Sequence, residues 1–388
     1  MVEMSVMANV EKRSFTIKIR RFRSNLVVAL GENARFVLPV LIVACAKIVG
    51  AIWLYYRFPG LGAAIRQKLQ PVGSAFFSQN DFLYLFTIWD SGFFMGIAEF
   101  GYTFRFPGDY AFLPAYPLVI RALLLVTRDI TLSAVLPALV FGIAWMPFFQ
   151  SIAERYMSRS EALGCTLVTA FFPFVFIYTT IAYSEPLFIL ASVACWYFYT
   201  KDRMLYAGLM AAVATVTRSV GIFIVAPIFL DLLFRRRWKR LLHTFVPILI
   251  LLGWFYYSFL TTGDWLMSWS AQKYFGSQES WFRHSVAPLF VDLGISFTPT
   301  GYFTIGFIAI VGLLAFLSWR FDWRLGVYSI VSFLPIVGFT TLGIAYVRYF
   351  SFIFPIWLNF RPRNLVLIAT ICVFFYILSL VAWYQFLL

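Results

Sequence analysis

Long apolar stretches recur along this chain and are separated by short polar or basic segments. The first clear stretch covers residues 36–56, and the last one reaches the end of the sequence. Stretches of roughly twenty apolar residues are long enough to cross a bilayer as α-helices. The pattern therefore predicts an all-α polytopic membrane protein. Since no linker or internal repeat divides the chain, we treat residues 1–388 as a single integral membrane domain.

Two longer polar intervals interrupt the apolar pattern, at residues 57–130 and 263–300. Basic residues indicate the side of the membrane on which a connection lies, because Lys and Arg are enriched in cytoplasmic connections. Counting from the basic run at residues 235–240 puts the basic arm, residues 1–35, in the cytoplasm and both polar intervals on the outer or lumenal face. This count predicts about eleven transmembrane helices.

Residues 110–127 are apolar enough to cross, but a crossing there would put the first outer loop and the later polar turns on opposite faces. Pro114 and Arg121 interrupt the segment, so we expect it to form an interfacial helix along the outer face. The alternative is an additional crossing at residues 72–88, where three consecutive polar residues at 79–81 make burial in lipid costly.

The composition supports a membrane protein, since 62% of the 388 residues are hydrophobic and the mean hydropathy is +0.83. A formal net charge of +14 would suggest a nucleic-acid partner in a soluble protein. Here the basic residues follow the positive-inside pattern, so we predict no nucleic-acid partner. Neither His243 nor His284 has neighbours at metal-ligand spacing, and no nucleotide-binding loop is recognisable, so we expect no metal and no other cofactor.

An acid in the first outer loop is a candidate for chemistry. Trp89-Asp90 is followed by apolar residues such as Phe93 and Ile97, at the spacing of a short helix that lies on the membrane. Glu99 follows Asp90 by nine positions and would point to the opposite face, so the two acids would not act as a helical pair. Asp90 is either a catalytic carboxylate or an N-terminal helix cap. Glu99 is either a substrate ligand or a solvated charge.

A second acid, Glu185, lies in a polar turn between two apolar segments. Ser184 is placed to cap the next helix and Pro186 fits its first turn, so Glu185 is explained in one interpretation by the positive end of that helix. In the other interpretation, Glu185 and Tyr183 bind sugar hydroxyls in the same cavity as Asp90.

Arg218 also lies between two apolar segments, with no acid nearby in sequence. A buried, unpaired guanidinium group is costly, so Arg218 must face water, a distant carboxylate or an anionic ligand. A helix that begins at Ser219 would add backbone N–H groups and make a phosphate site. The alternative is an arginine that extends to the outer interface. Arg348 raises the same question, and two outer arginines would be able to share one phosphate.

The second outer loop combines aromatic and amide side chains, among them Trp265, Trp269 and Gln272. Stacking on a tryptophan together with amide hydrogen bonds is a usual way to hold a sugar. A belt of interfacial aromatic residues has the same pattern, so both interpretations stay open here.

These residues and their order resemble the PIG-V family, the second mannosyltransferase of GPI-anchor assembly and its prokaryotic relatives, within the GT-C class of glycosyltransferases. The resemblance is carried first by Trp89-Asp90, Ile97-Ala98-Glu99, Gly101-Tyr102, Ala111-Phe112, Pro114, Tyr116-Pro117, Ala182-Tyr183-Ser184-Glu185, Ala214-Thr215, Thr217-Arg218-Ser219 and Gly221. Later in the chain it rests on Gly263-Asp264-Trp265, Gln272 and Arg348.

The resemblance implies a GT-C-type bundle that transfers mannose, with inversion, from polyprenyl or dolichyl phosphate mannose to a lipid-linked glycan or another membrane acceptor. The donor lipid is then a substrate and not a cofactor. The resemblance implies that Asp90 is the general base and that Arg218 and Arg348 bind the donor phosphate. With it, we expect sugar or acceptor contacts from Trp89, Glu99, Tyr183, Glu185, Trp265 and Gln272.

The short connections of the chain indicate a prokaryotic, archaeal relative of the family. The protein would then lie in the cell membrane, whereas a eukaryotic member would lie in the endoplasmic reticulum membrane. In both cases the active face would be outer or lumenal. The resemblance to eukaryotic family members also implies a small membrane partner subunit.

Two other classes of protein also place charges in an apolar bundle. A transporter or lipid flippase would be expected to show corresponding broken helices in two halves, and we find no such pair. A noncatalytic scaffold subunit would tolerate replacement of Asp90 and Arg218.

Overall fold

The computed structural model describes residues 34–69, 77–102, 106–275, 299–339 and 343–387. Across these residues the chain forms helices and their connections, without a β-strand. The all-α prediction is therefore confirmed for the described part of the chain. Most of the predicted basic arm, residues 1–33, lies outside it.

The first part of the described chain contains long helices as well as several short ones. The α-helices are α1 (Ala34–Arg57), α2 (Leu61–Leu69), α3 (Ser91–Phe100), α4 (Ala115–Thr127), α5 (Ile130–Ala153), α6 (Arg159–Phe171), α7 (Pro173–Tyr178), α8 (Glu185–Thr200) and α9 (Met204–Thr217). Two 3₁₀ helices, Asp81–Phe86 and Pro107–Ala111, lie between α2 and α4. The interval predicted as the first outer loop thus consists largely of short helices.

The second part has the same character. Its α-helices are α10 (Val225–Phe234), α11 (Trp238–Leu241), α12 (Phe245–Thr262), α13 (Met267–Ser270), α14 (Pro299–Leu317), α15 (Trp323–Phe339), α16 (Gly343–Ser351) and α17 (Leu365–Leu387). The 3₁₀ helices are Ser219–Ile224, Leu242–Thr244, Ala271–Phe275, Ser318–Arg320 and Phe354–Asn359. Of the predicted second outer loop, residues 276–298 lie outside the described part.

Several helices begin at side chains that satisfy the free N–H groups of their first turn. The Asp129 carboxylate accepts a hydrogen bond from the Leu132 amide at 2.9 Å, at the start of α5. Ser158 and Glu161 form a reciprocal capping box at the start of α6. Both α7 and α8 carry a proline in their first turn, where a missing N–H costs nothing.

Helix α8 lies at the centre of the bundle, packed between α5 and α9. Large aromatic side chains fill the space around it, and Trp145, Phe149 and Trp196 are at most 1% exposed. Interiors packed in this way deform little. The first residue of α8, Glu185, is therefore held on a rigid element.

Four helical spans in the described residues are long and apolar enough to cross a membrane: Ala34–Arg57, Ile130–Ala153, Trp238–Thr262 and Leu365–Leu387. The third of these consists of α11, the 3₁₀ helix Leu242–Thr244 and α12, which follow one another directly. Only 17% of the apolar window of Leu365–Leu387 is buried, so most of that window faces outwards. Exposed apolar surface of this extent is typical of contact with lipid. The chain is therefore a membrane protein, and the predicted count of about eleven crossings stays a prediction.

Ion pairs gather at the end of the bundle that lies opposite the start of α8. Helix α8 leads from Glu185 towards Asp202, and α9 returns to Arg218, so Glu185 and Arg218 share the other end. The pairs are Arg35–Glu154 at 3.5 Å, Asp231–Arg324 at 3.3 Å, Glu161–Arg363 at 2.8 Å and the close pair Asp202–Arg240. This grouping agrees with the predicted order of the turns, although the face that is cytoplasmic stays a prediction.

One local prediction is wrong. We expected an α-helix to begin at Ser219, and the structure has the 3₁₀ helix Ser219–Ile224 there. Arg348, whose surroundings the sequence left open, lies within the helix α16. Arg348 is accommodated in a helix because a carboxylate partner from another helix meets it, a contact that sequence spacing does not reveal.

Candidate functional site

The floor of the candidate site is the break between α7 and α8, residues 179–184. Every residue from 175 to 189 is buried. The amide of Ala182 donates to the carbonyl oxygen of Phe86 at 2.7 Å, which ties the break to the first outer loop. The break therefore holds its polar side chains at a fixed position beside that loop.

Asp90 lies immediately before α3 and is fixed through its backbone. Its amide donates to the hydroxyl oxygen of Tyr183 at 2.9 Å. The preceding residue, Trp89, has a φ of +38°, a left-handed conformation that bulky residues rarely adopt and that is enriched at functional sites. Asp90 occupies the N-cap position, yet its carboxylate makes no capping hydrogen bond. The helix-cap interpretation thus does not explain this side chain.

Glu185 and Arg218 form a buried ion pair. Arg218 Nη1 lies 2.7 Å from Glu185 Oε1, and the glutamate side chain has no exposed surface. Arg218 also donates to Ser184 Oγ at 3.3 Å, and Ser184 Oγ donates to Glu185 Oε2 at 3.3 Å. Of the three environments expected for Arg218, the structure shows the distant carboxylate. Ser184 lies at the N-cap position of α8, but its side chain makes no capping hydrogen bond.

Arg218 lies at a sharp corner that a glycine makes possible. The residue is extended, with φ −148° and ψ 138°, between the end of α9 and the 3₁₀ helix Ser219–Ile224. The amide of Gly221 donates back to the Arg218 carbonyl oxygen at 2.8 Å. A Cβ atom on Gly221 would lie 2.2 Å from the carbonyl oxygen of Ala214, which is closer than two non-bonded atoms can approach. Glycine thus allows the chain to fold back tightly and to present Arg218.

Arg348 joins the two acids. Its Nε donates to Glu185 Oε1 in a close contact, and its Nη1 lies 3.5 Å from Asp90 Oδ2. The guanidinium carbon lies 4.7 Å from the ring centre of Tyr178 and 4.8 Å from that of Tyr183, so aromatic faces enclose the cation. We refer to Asp90, Glu185, Arg218 and Arg348 as the charge cluster.

The four side chains of the charge cluster differ in how much of their surface is exposed. Exposure of the side chains is 0% for Glu185, 12% for Arg348, 16% for Arg218 and 30% for Asp90. Glu185 is thus occupied by the arginines, whereas Asp90 is the more open of the two acids. Burial raises the pKa of the Asp90 carboxyl above its ordinary value, while the charge of Arg348 acts in the opposite direction. A carboxylate with a raised pKa is a better proton acceptor.

The predicted site residues thus fall into two groups. Asp90, Tyr183, Glu185, Arg218 and Arg348 come together in one place, although they are far apart in the sequence.

The remaining predicted residues are placed elsewhere or at the margin. Trp89 is 53% exposed and packs against Phe386. Glu99 lies at the far end of α3. Trp265 stacks on Phe259, with ring centres 4.6 Å apart, and Gln272 lies in the 3₁₀ helix Ala271–Phe275, which packs against Pro107–Ala111.

Sequence reasoning missed Tyr178 and Tyr349, whose rings face the arginines. The ring centre of Tyr349 lies 4.8 Å from the guanidinium carbon of Arg218. Aromatic residues make up 21% of the chain, so a single tyrosine carries no signal in the sequence. The useful hint was indirect, because Tyr178 lies close to Tyr183-Ser184-Glu185 in the sequence and Tyr349 follows Arg348.

The charge cluster is suited to two chemical tasks, which are to bind an anion and to accept a proton. Two guanidinium groups that converge on one carboxylate provide several N–H donors suited to a phosphate. Asp90 lies at their open side and can accept a proton. Within the described part of the chain, no three His, Cys, Asp or Glu side chains gather as a metal-binding group.

Comparison with known protein families gives a match that covers most of the candidate site. A family model described as "Mannosyltransferase (PIG-V)" matches residues 72–308, more than half of the chain. Asp90, Glu185 and Arg218 lie within the matched segment, and Arg348 lies beyond it. A search of curated proteins gives no match.

Proposed function

The chain belongs to the PIG-V mannosyltransferase family, and on that premise we propose that it is an inverting membrane glycosyltransferase that takes mannose from polyprenyl phosphate mannose. The acceptor is a hydroxyl group of a lipid-linked glycan or of another membrane-linked molecule. The reaction takes place at the charge cluster, on the outer or lumenal face of the membrane.

The observation that carries this proposal is the contact between Asp90 and Arg348, whose charged atoms lie 3.5 Å apart. It places a proton acceptor beside a cation that is suited to phosphate. Arg348 and Arg218 both pair with Glu185 Oε1, so the two guanidinium groups lie next to each other. A sugar phosphate donor requires both functions in one site, because its anomeric carbon is bonded directly to a phosphate oxygen. In an inverting transfer the base and the acceptor lie on one side of that carbon and the phosphate on the other, so the bound sugar would lie between Asp90 and the arginines.

In the proposed step, Asp90 accepts the proton of the acceptor hydroxyl while that oxygen attacks the anomeric carbon of mannose. The new glycosidic C–O bond forms as the bond between the anomeric carbon and the phosphate oxygen breaks. The electron pair of the broken bond leaves with the polyprenyl phosphate. The proton stays on Asp90 until water removes it.

Arg218 and Arg348 stabilise the negative charge that grows on the departing phosphate. Glu185 has no exposed surface and pairs with both arginines, so we assign to it the orientation of the two guanidinium groups. The sugar contacts expected from Trp89, Glu99, Tyr183, Glu185, Trp265 and Gln272 stay predictions.

The different environments of Asp90 and Glu185 favour a transfer that inverts the configuration at the anomeric carbon. A retaining enzyme that follows the two-carboxylate scheme needs an accessible carboxylate to attack the anomeric carbon, in addition to the acid or base that moves the proton. Of the two acids in the charge cluster, only Asp90 is accessible, since Glu185 is fully buried and already paired with the arginines. A single displacement with Asp90 as base uses the groups that are available.

The proposal is tested by the transfer of radiolabelled mannose from polyprenyl phosphate mannose to lipid acceptors in membranes that carry the protein. We expect Asp90→Asn and Arg218→Ala each to lower the rate by about 100-fold or more, because they remove the base and a phosphate ligand. Asp202→Asn and Arg121→Ala are matched controls on exposed residues, and these should leave the rate unchanged.

Normal transfer by Asp90→Asn would eliminate Asp90 as the base. Failure of the wild-type protein to transfer any sugar from a polyprenyl phosphate donor would contradict the donor that we propose. Protein amount and thermal stability are measured for every variant, so that loss of folding is not mistaken for loss of chemistry.

A further inference from the structure

Lys47 is a buried cation in the interior of an apolar helix. It lies in the 24-residue helix α1, and only 1% of it is exposed. Ionisable residues are rare inside membrane-spanning helices because removing them from water is costly, and those that are present usually have a specific partner.

The partners of Lys47 are three oxygen atoms, two of them on Thr179 directly after α7 and one on Gly142 in α5. Its Nζ donates to the carbonyl oxygen of Thr179 at 2.6 Å, to the hydroxyl oxygen of Thr179 at 2.8 Å and to the carbonyl oxygen of Gly142 at 3.2 Å. The Thr179 hydroxyl gives its own hydrogen to the carbonyl oxygen of Val175 at 2.6 Å. Lys47 must therefore supply all three hydrogens, which an ammonium group can do.

The Thr179 carbonyl needs a donor because α7 ends there. In a continuing α-helix the amide of Tyr183 would donate to Thr179. In the structure this amide donates to the carbonyl oxygen of Ile181 at 2.8 Å. A carbonyl group buried without a donor is costly in a bilayer, so Lys47 satisfies a group that the break between α7 and α8 leaves without its helical partner.

Gly142 in α5 allows this contact. A Cβ atom at this position would lie 1.9 Å from the Thr179 carbonyl oxygen and 3.0 Å from Lys47 Nζ. Since the first distance is far below contact, only glycine lets α5 approach Thr179 so closely. Helices α1, α5 and α7 therefore meet at one point, which we call the Lys47 junction and which consists of Lys47, Gly142 and Thr179.

We propose that Lys47 is a positioning residue for mannose transfer, and that it acts by fixing the start of the break at residues 179–184. The far end of the break carries Tyr183, whose hydroxyl oxygen accepts a hydrogen bond from the Asp90 amide. The next helix begins with Glu185, which pairs with both arginines. The Lys47 junction thus sets the position of the base and of the phosphate ligands together. This inference rests on the proposed function. All three Nζ hydrogens are used within the protein, so Lys47 does not act as a ligand of the substrate.

The test compares Lys47→Met and Gly142→Ala with the wild-type protein in lipid nanodiscs. Methionine keeps an unbranched side chain of similar length and removes the three donors. Alanine at position 142 displaces Thr179 from the other side. The matched control is Gly253→Ala in α12, where an added Cβ atom meets nothing within 4 Å.

Two measurements are made on the same samples. We expect kcat to fall roughly 10- to 100-fold in both junction variants, because small displacements of reacting groups have effects of this size. We also expect hydrogen exchange of residues 176–186 to become faster. The control should change neither quantity.

A double substitution distinguishes positioning from a general loss of stability. Lys47→Met and Tyr183→Phe both act on the support of Asp90, so their combined effect on kcat should be clearly smaller than the product of the single effects. Independent effects that multiply would contradict the inference, and so would a Lys47→Met protein with normal kcat or normal exchange. If the wild-type protein transfers no mannose, the proposed function fails, and exchange alone decides whether Lys47 holds the break.

Discussion

Asp90 is subject to two opposing influences at the scale of the single residue. Burial disfavours its charge and raises the pKa of the carboxyl, and this effect is larger than the opposing influence of Arg348. The result is a carboxylate that binds a proton more readily than an exposed aspartate does. Since only the ionised form accepts a proton from the acceptor hydroxyl, activity should be full above the raised pKa and should fall as the pH drops through it.

The pH dependence should therefore respond to Arg348. We expect Arg348→Gln to move the acidic limb of the kcat/KM profile to higher pH, because the charge that lowers the pKa of Asp90 is lost. The rate at neutral pH should also fall by about 100-fold, since a phosphate ligand is removed. Arg348→Lys keeps the charge and should leave the limb near its original position. A limb that stays in place or moves to lower pH in Arg348→Gln would contradict Asp90 as the titrating base.

The titration of a second acid, Asp109, must be distinguished from that of Asp90 in this measurement. Burial raises the pKa of Asp109 to about 6, so this carboxyl also changes its charge on the acidic side of neutral pH. We have assigned no chemistry to Asp109. Asp109→Asn is therefore measured in parallel, and its profile should match that of the wild type.

The candidate site shows what a sequence can predict at this scale. Asp90, Glu185, Arg218 and Arg348 stand out because only 12% of the residues are charged, and each charge in an apolar chain requires an explanation. Their pairing could not be predicted, because Arg348 and Asp90 are 258 positions apart. Lys47 was overlooked, although a lysine within an apolar stretch is itself a signal.

At the scale of elements, the site is built from interrupted helices. The break between α7 and α8 carries Tyr183 and is followed by Glu185 at the start of α8, and the corner after α9 carries Arg218. At the break the chain gives up regular helical hydrogen bonds within the protein interior, and other groups replace them, such as Lys47 at the Thr179 carbonyl oxygen and the Phe86 carbonyl oxygen at the Ala182 amide. Short connections of this kind hold side chains firmly because packed helices fix both ends.

The corner after α9 can be tested at Gly221. An alanine there would bring its Cβ atom 2.2 Å from the Ala214 carbonyl oxygen and 2.3 Å from its carbon. Since these are backbone atoms, the 3₁₀ helix Ser219–Ile224 must move away from α9 and carry Arg218 with it. We expect mannose transfer to fall about 10-fold or more and the free energy of unfolding to fall by about 1–3 kcal/mol.

The matched control for this prediction is Gly306→Ala in α14, since nothing lies within 4 Å of an added Cβ atom there. Transfer and thermal unfolding of both variants are compared with the wild type in the same membranes. Full activity of Gly221→Ala would show that the corner tolerates displacement and that Arg218 is not held by it.

Element boundaries were predicted where local signals are strong. The short helix after Asp90 was predicted from its apolar spacing and is present as Ser91–Phe100. The surroundings of Arg348 could not be predicted from the local pattern. The helix Gly343–Ser351 carries Arg348 to Glu185, a contact between distant segments. Local pattern predicts a helix, but the partner of a charge depends on the whole fold.

At the scale of the whole molecule, the charges divide into two ends. The ion pairs Arg35–Glu154 and Glu161–Arg363 lie at one end, and the charge cluster lies at the other. Arg35 precedes most of α1 and Glu154 follows α5, so these two helices run in opposite directions between the same two ends. The chain between them, residues 58–129, must therefore leave and return on the side of the charge cluster.

Because this part of the chain returns to the side from which it left, α4 is not expected to make a single crossing of the membrane. With 13 residues, α4 is about 20 Å long at a rise of 1.5 Å per residue, shorter than the roughly 30 Å of hydrocarbon that a crossing helix must span. A single crossing by α4 would also put the start of α5 on the wrong side relative to Arg35 and Glu154. We therefore expect the connections before α2 and after α4 to face the same side of the membrane.

Cysteine labelling decides this arrangement. In a background without the native cysteines, Pro59→Cys, Arg128→Cys and Lys201→Cys place single thiols at exposed connections. A membrane-impermeant maleimide applied to intact cells should label positions 59 and 128 alike, whereas position 201 should react only after the membrane is opened, because α8 leads away from the charge cluster. Labelling of 59 and 128 from opposite sides would mean that the first outer loop contains a net crossing. The acceptor would then have to reach Asp90 from a different face than the one we propose.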